Sequence, residues 1–162
     1  WQCLGMTASP GRGWWLRTFT RTMAQVEGDV VRYEPRAPDL RGASSVASFT
    51  ARHVSAALEQ DLDTAAACDG WYSGAYLLET VPSVMYILER HAHDPEEAIV
   101  RAVNDTRDND TVAAIVGAAV GALHGKSALP ERWVSGLLGR TGAADDGEVF
   151  RLIDAACRRF VR

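Results

Sequence analysis

The 162 residues are enough for one domain with a sizeable core and not comfortably enough for two. With 47% apolar and 23% charged residues the composition is that of an ordinary globular protein, and a formal net charge of -4 with scattered Lys and Arg argues against a nucleic-acid surface. The longest apolar run, Val112 to Leu123, would cover about 18 Å as a helix, so it reads as a buried helix and not a membrane span.

The chain starts at Trp1 in a loop-like stretch with Pro10, Gly11 and Gly13, which has no charged start followed by an apolar run and reads as the inside of a longer protein. Residues 14 to 27 place Trp15, Phe19, Met23 and Val26 on one face of a helix. The connection from Gly28 to Ser45 carries two prolines and two glycines and is the segment best suited to act as a lid. A second helix runs from Ser45 to about Gln60, with His53 as a packing or surface residue, and a helical turn or two follows over Leu62 to Cys68. "DGWYSG" breaks it. "AYLLETVPSVMYILERH" is then a core helix that bends or begins at Pro82.

Asp94, Pro95, Glu96 and Glu97 together mark a helix start. The next helix begins near Thr111 and carries Gly117, Gly121 and Gly125 at four-residue spacing, a row whose cost in helix propensity predicts close packing against a neighbour. Two further helices fall in "SALPERWVSGLL" and "DGEVFRLIDAACRRFVR". No period-two alternation appears, so the fold class is all-α. Cys3, Cys68 and Cys157 are odd in number and far apart, which suits idle thiols in a reducing cytoplasm.

Asp105, Asp108 and Asp110 crowd before the apolar helix. Carboxylates so close repel one another unless a cation or hydrogen bonds offset the repulsion. The plain alternative is an acidic helix cap. An EF-hand is excluded, because no register of "DTRDNDTVAAIV" supplies both its glycine and its final glutamate. Asp108 and Asp110, two apart with Thr111 next, can turn two carboxylates and a hydroxyl toward one point, a hard oxygen set suited to Mg²⁺, Mn²⁺ or Ca²⁺. Asp105, one turn away, is a candidate third ligand or, the favoured reading, a residue that orients the other two.

"NDTRDNDTVAAIVGAAVGALHGKSALPERW", preceded by "SGAYLLETVPSVMYILERHAHDPEEAIVRAV", resembles the C-terminal signature of the ADP-ribosylglycohydrolases, over about Gly70 to Leu138. The resemblance implies a compact orthogonal all-α domain of which residues 1–162 form the C-terminal portion of a single, incomplete copy. It also implies a site for two Mg²⁺ ions, or Mn²⁺, with one half of the ligands on Asp108, Asp110 and Thr111. Ser73, Gly74 and Tyr76 lie where relatives contact the adenosine end of ADP-ribose, although Tyr72 and Tyr76 are equally candidates for core aromatics. Thr106 and Arg107 replace the usual glycine pair; Arg107 is placed to meet a phosphate or to pair with Asp105.

The family's Thr-Asp-Asp cluster and its N-terminal acidic residue have no match here, and "DLDT" at Asp61 to Thr64 sits in the wrong order. The catalytic group is therefore expected in a missing N-terminal half, a partner this chain would need for activity. The implied function is magnesium-dependent removal of ADP-ribose from a modified protein side chain or a small conjugate. A non-catalytic ADP-ribose-binding or structural helical module is the alternative. No nucleic acid or membrane partner is expected.

Overall fold

The computed structural model describes residues 2–6, 8–28, 32–137 and 147–160. Trp1, residues 29–31 of the first connection, Leu138 and the outer ends of the last helical segment lie outside the described residues. Among those described are eight α-helices: α1 Trp14–Val26, α2 Val46–Glu59, α3 Thr64–Gly70, α4 Leu77–His91, α5 Pro95–Asn104, α6 Asn109–His124, α7 Glu131–Leu137 and α8 Glu148–Phe160. An isolated antiparallel bridge joins Tyr33 and Ser44, and no strand occurs among the described residues. The chain divides into two compact units, Trp1–Ala128 and Leu129–Arg162. No helix among the described residues is long and apolar enough to cross a membrane.

In the first unit α4 is the centre, touching α1, α2, α3, α5 and α6. One side of it sends Val84, Ile87 and Leu88 into a core shared with Ala98 and Ala102 of α5 and with Val112, Val116 and Val120 of α6. Its other side sends Leu78 and Tyr86 into a core built from Leu16, Val46, Phe49, Val54, Ala57, Ala67, Cys68 and Trp71. A helix buried on both sides must satisfy every polar group it carries. Trp71 Nε1 donates to Ser83 Oγ, Ser83 Oγ donates to the Glu79 carbonyl, and Thr80 Oγ1 donates to the Gly74 carbonyl. The helix runs unbroken from Leu77 past Pro82, so the proline sits inside it and does not mark its start.

Several caps come from distant residues. Gly13 heads α1 with no side chain to cap it, and the carboxylate of Glu89 on α4 accepts from the Gly13 and Leu16 amides at 2.6 and 2.7 Å. Glu27 does the same for α2, accepting from the Val46 and Ala47 amides, while Ser45 accepts from Ser48. The apolar stripe of α1 is shorter than its periodicity predicts, because Val26 is exposed, while Trp15, Phe19 and Met23 of that stripe reach the core.

On α6, Val112, Val116 and Val120 are fully buried at i, i+4 and i+8, each contributing about 1.5 to 3 kcal/mol of burial. The opposite face, with Ala114, Ile115 and Ala118, is exposed, so the helix is not enclosed all round in this chain. The glycine row has one packing partner: a Cβ on Gly117 would lie 3.8 Å from Ile99 Cδ1, whereas one on Gly121 would meet nothing within 4 Å. Gly125 follows the helix at φ 81°, a left-handed position that suits glycine. Cys68 is buried, which pushes its thiol up to about 12 and leaves it inert at neutral pH.

His91 at the end of α4 bonds Thr64 Oγ1 at the start of α3, 2.9 Å away. Burial, chiefly, depresses its pKa below the ordinary 6.5, and burial with the neighbouring Arg52 does the same for His53. Both groups prefer to be neutral in the folded state, so their contribution to stability is full above 6.5 and is lost as pH falls below it toward the depressed values. Chemical denaturation should show a lower midpoint at pH 5.5 than at pH 7, and His91→Gln should flatten that slope. An unchanged slope in the variant would assign the pH dependence to other groups.

Candidate functional site

Three of the residues singled out in the sequence, Ser73, Arg107 and Asp108, meet where the α3–α4 connection touches the start of α6. Asp108 is the N-cap of α6, yet its side chain makes no capping hydrogen bond. Asp63 and Asp94 behave differently, accepting from the Ala66 amide and from the Glu96 and Glu97 amides at the starts of α3 and α5. As a result Asp108 Oδ2 is buried without a hydrogen-bond partner. Among the described residues only Thr50 Oγ1 shares that condition, and Asp108 is the carboxylate of the two. An unmade hydrogen bond to a buried charged oxygen costs more than one to a neutral group, so this oxygen is where a ligand would gain most.

Asp110 and Thr111 follow in the first turn, both exposed, with Asp110 Oδ1 accepting from the Thr111 amide at 2.9 Å. Asp105 turns elsewhere. It caps the end of α5 and pairs with Arg101 at 3.2 Å, and Arg101 also holds Glu97 at 2.8 Å. Two carboxylates and a hydroxyl on one helix start fit a hard divalent cation by donor chemistry, and the unpartnered oxygen of Asp108 agrees with that fit. Among the described residues no three His, Cys, Asp or Glu side chains group closely enough to hold a metal ion by themselves.

The opposing loop is strained. Tyr72 and Ser73 both have positive φ, 79° and 44°, a region that residues other than glycine seldom adopt. Ser73 is fully buried, its carbonyl accepting from the Asp108 amide at 3.1 Å and its hydroxyl from the Arg107 amide at 3.3 Å. Gly74 is also buried, and a Cβ there would lie 2.6 Å from Glu79 Oε2 and 3.2 Å from Tyr72 Cδ1. Tyr76 is half-buried, with the Arg36 guanidinium 4.4 Å from its ring centre and Tyr33 edge-on to it. Tyr72 is exposed and carries Arg107 4.5 Å over its ring, whereas Tyr76 also packs against the core that holds Leu78 and Tyr86.

Arg107 does not pair with Asp105; its partner is Asp69 at the end of α3, at 3.0 Å. Both arginines are half-exposed, whereas Glu79, which Arg36 grips through two bonds of 2.9 and 2.8 Å, is 1% exposed. Ser73, Arg107 and Asp108 are thus directly joined, Gly74 adjoins them through Tyr72, and Tyr76 faces the Arg36 side. Asp69 and Arg36 are the residues that sequence reasoning missed. A signal existed for the second: an acidic residue next to buried Leu78 in a core helix demands a cation, although nothing in the sequence says which one.

"DLDT" carries no chemistry of this kind. Asp61 pairs with Arg90 at 2.6 Å, which lowers its pKa; Asp63 caps α3; Thr64 is tied to His91.

The ADP-ribosylglycohydrolase family matches the chain over residues 14–160. The chain belongs to that family, which places it among glycohydrolases of ADP-ribose-related substrates. No curated protein and no solved structure matches it.

Proposed function

We propose that the protein removes ADP-ribose from a modified side chain or a small conjugate in a Mg²⁺-dependent hydrolysis, Mn²⁺ being able to substitute, and that Asp108, Asp110 and Thr111 are this chain's share of the metal ligands. The observation that carries the reading is the buried, unpartnered Oδ2 of Asp108 at a helix start where its capping role is left unused. When bound, the metal would supply Lewis-acid polarisation and a template for ribose hydroxyls and water. Asp108 presents a fixed oxygen whose desolvation is already incurred in the fold. Asp110 and Thr111, in the first turn of α6 and open to solvent, add a second charge and a neutral oxygen.

These three residues fill at most half of magnesium's six positions, so the reading assigns the others to water, substrate and residues of an N-terminal half of the domain. It assigns the proton transfer there as well. Arg107, half-exposed on the Tyr72 face, is the group suited to a substrate phosphate, exchanging Asp69 for it. Gly74 and Tyr76 shape the neighbouring surface toward the adenosine end. A reducing, cytoplasmic setting suits the buried thiols Cys3 and Cys68.

The test is release of ADP-ribose from ADP-ribosylated arginine or serine peptides by the complete protein. Chelation should abolish turnover, and added Mg²⁺ or Mn²⁺ should restore it. Turnover that persists in chelator would overturn the metal reading; tight ADP-ribose binding without turnover would favour a binding module.

A further inference from the structure

The α3–α4 connection holds Ser73 in an unfavourable left-handed conformation, out of solvent, 34 residues before the acidic motif it touches. A buried residue at φ 44° persists only when its surroundings over-determine it. Here the surroundings are the consecutive amides of Arg107 and Asp108, which donate to the Ser73 hydroxyl and carbonyl. We propose that Ser73 is a positioning residue for Asp108: its two acceptors fix the backbone of residues 107 and 108 so that Asp108 Oδ2 is held aside from the helix cap and kept available as a ligand. The inference rests on the metal reading of Asp108.

The alternative arrangement is visible in the same chain. Asp63 and Asp94 sit at helix starts in extended conformations, ψ 165° and 103°, and their carboxylates fold back onto the amides of their own helices. Asp108 has ψ 62° and does not fold back. The difference lies in the backbone. Its own amide is committed to Ser73, and the preceding amide is committed to the Ser73 hydroxyl. Arg107 reinforces the same geometry from its other end, its guanidinium resting on Tyr72 and bonded to Asp69. Without the hydroxyl, the Arg107 amide loses its acceptor, residue 108 is free to relax toward the ordinary cap, and the carboxylate turns to the first amides of α6.

The experiment uses Mn²⁺ as the probe, its affinity measured by electron paramagnetic resonance in the complete protein, beside thermal melts. Ser73→Ala removes the hydroxyl at nearly constant shape. Ser73→Gly removes it while also relieving the left-handed backbone, so it keeps the test usable if the alanine variant folds poorly. Both should weaken Mn²⁺ about tenfold or more, the range typical of groups that orient a metal ligand, with the melt of the glycine variant close to the parent's. Asp108→Asn is the reference for loss of the ligand itself. If Asp108→Asn weakens Mn²⁺ and both Ser73 variants bind it within twofold of the parent, the positioning role is overturned and the metal reading stands. If Asp108→Asn leaves the affinity unchanged, both fall.

Discussion

Replacing Asp108 with asparagine should lower hydrolysis by the complete protein more than about 100-fold, beyond the 10- to 100-fold range of residues that act through a ligand. Its stability should stay within about 1 kcal/mol of the parent. The two expectations have one cause. The Oδ2 atom is buried and makes no hydrogen bond in the fold, and an amide of the same shape removes a desolvated charge, at the cost of its modest attraction to the helix start, while leaving one weaker polar group unsatisfied. A cation loses a charged oxygen that no neighbour replaces. Asp105→Asn is the internal control. That carboxylate serves Arg101 across one helical turn, a pair worth about 0.3 to 0.5 kcal/mol, and turnover should change by less than a factor of a few. Steady-state kinetics with thermal melts separate the two variants. Comparable turnover losses in both would mean that the acidic loop acts as a unit and that no single oxygen is the ligand.

Helices were legible because periodicity is a local property. The apolar stripes of α1, α2 and α4, and the Asp94–Pro95 start of α5, all follow from residues within a few turns of one another, whereas the continuous apolar run of α6 did not show which of its faces is left exposed. Helix boundaries were less so wherever tertiary groups set them. Gly13 is a weak cap on its own, and α1 begins there because Glu89 reaches across from α4. The start of α6 two residues before Thr111 has a similar origin, since the Asp108 amide is held by Ser73. Pro82 suggested a boundary through its missing donor, but the surrounding helix is buried on both sides, and packing outweighs one lost hydrogen bond.

The candidate site was legible as two motifs and illegible as one place. Asp108, Asp110 and Thr111 stand out by charge density, and Ser73 to Tyr76 by resemblance, yet no spacing rule joins residues 34 apart. The connection is made by backbone groups, which every residue possesses and no sequence pattern marks. Arg107 shows the same limit: among nearby carboxylates Asp105 was the natural partner by distance along the chain, and the fold delivers Asp69. Glu79 shows it most sharply, since its counter-ion comes from a connection between prolines, 43 residues earlier.

That last pair carries the largest expected effect on stability. Arg36→Met should cost about 3 kcal/mol, because it leaves the Glu79 carboxylate, 1% exposed, without either of its two charge-assisted bonds. The half-exposed guanidinium sits at a wet edge, where water screens part of the loss, which places the figure at the low end for a broken buried pair. Glu79→Gln alone should cost less, since the arginine it abandons can turn to solvent. In the double variant Arg36→Met with Glu79→Gln the two losses should not add: no charge is then stranded, and a good part of the loss should return. Gly74→Ala attacks the same pair from the other side. Its Cβ would stand 2.6 Å from Glu79 Oε2, and Tyr72 at 3.2 Å blocks retreat in that direction, so the carboxylate must leave its place on Arg36. Overpacking of this kind costs about 1 to 3 kcal/mol, and it should fall in a Glu79→Ala background, where the clashing oxygen is gone. Denaturant titrations of these variants and of the Glu79→Ala background decide the matter. A loss below about 0.5 kcal/mol for Arg36→Met would mean that Glu79 finds another partner when the arginine goes.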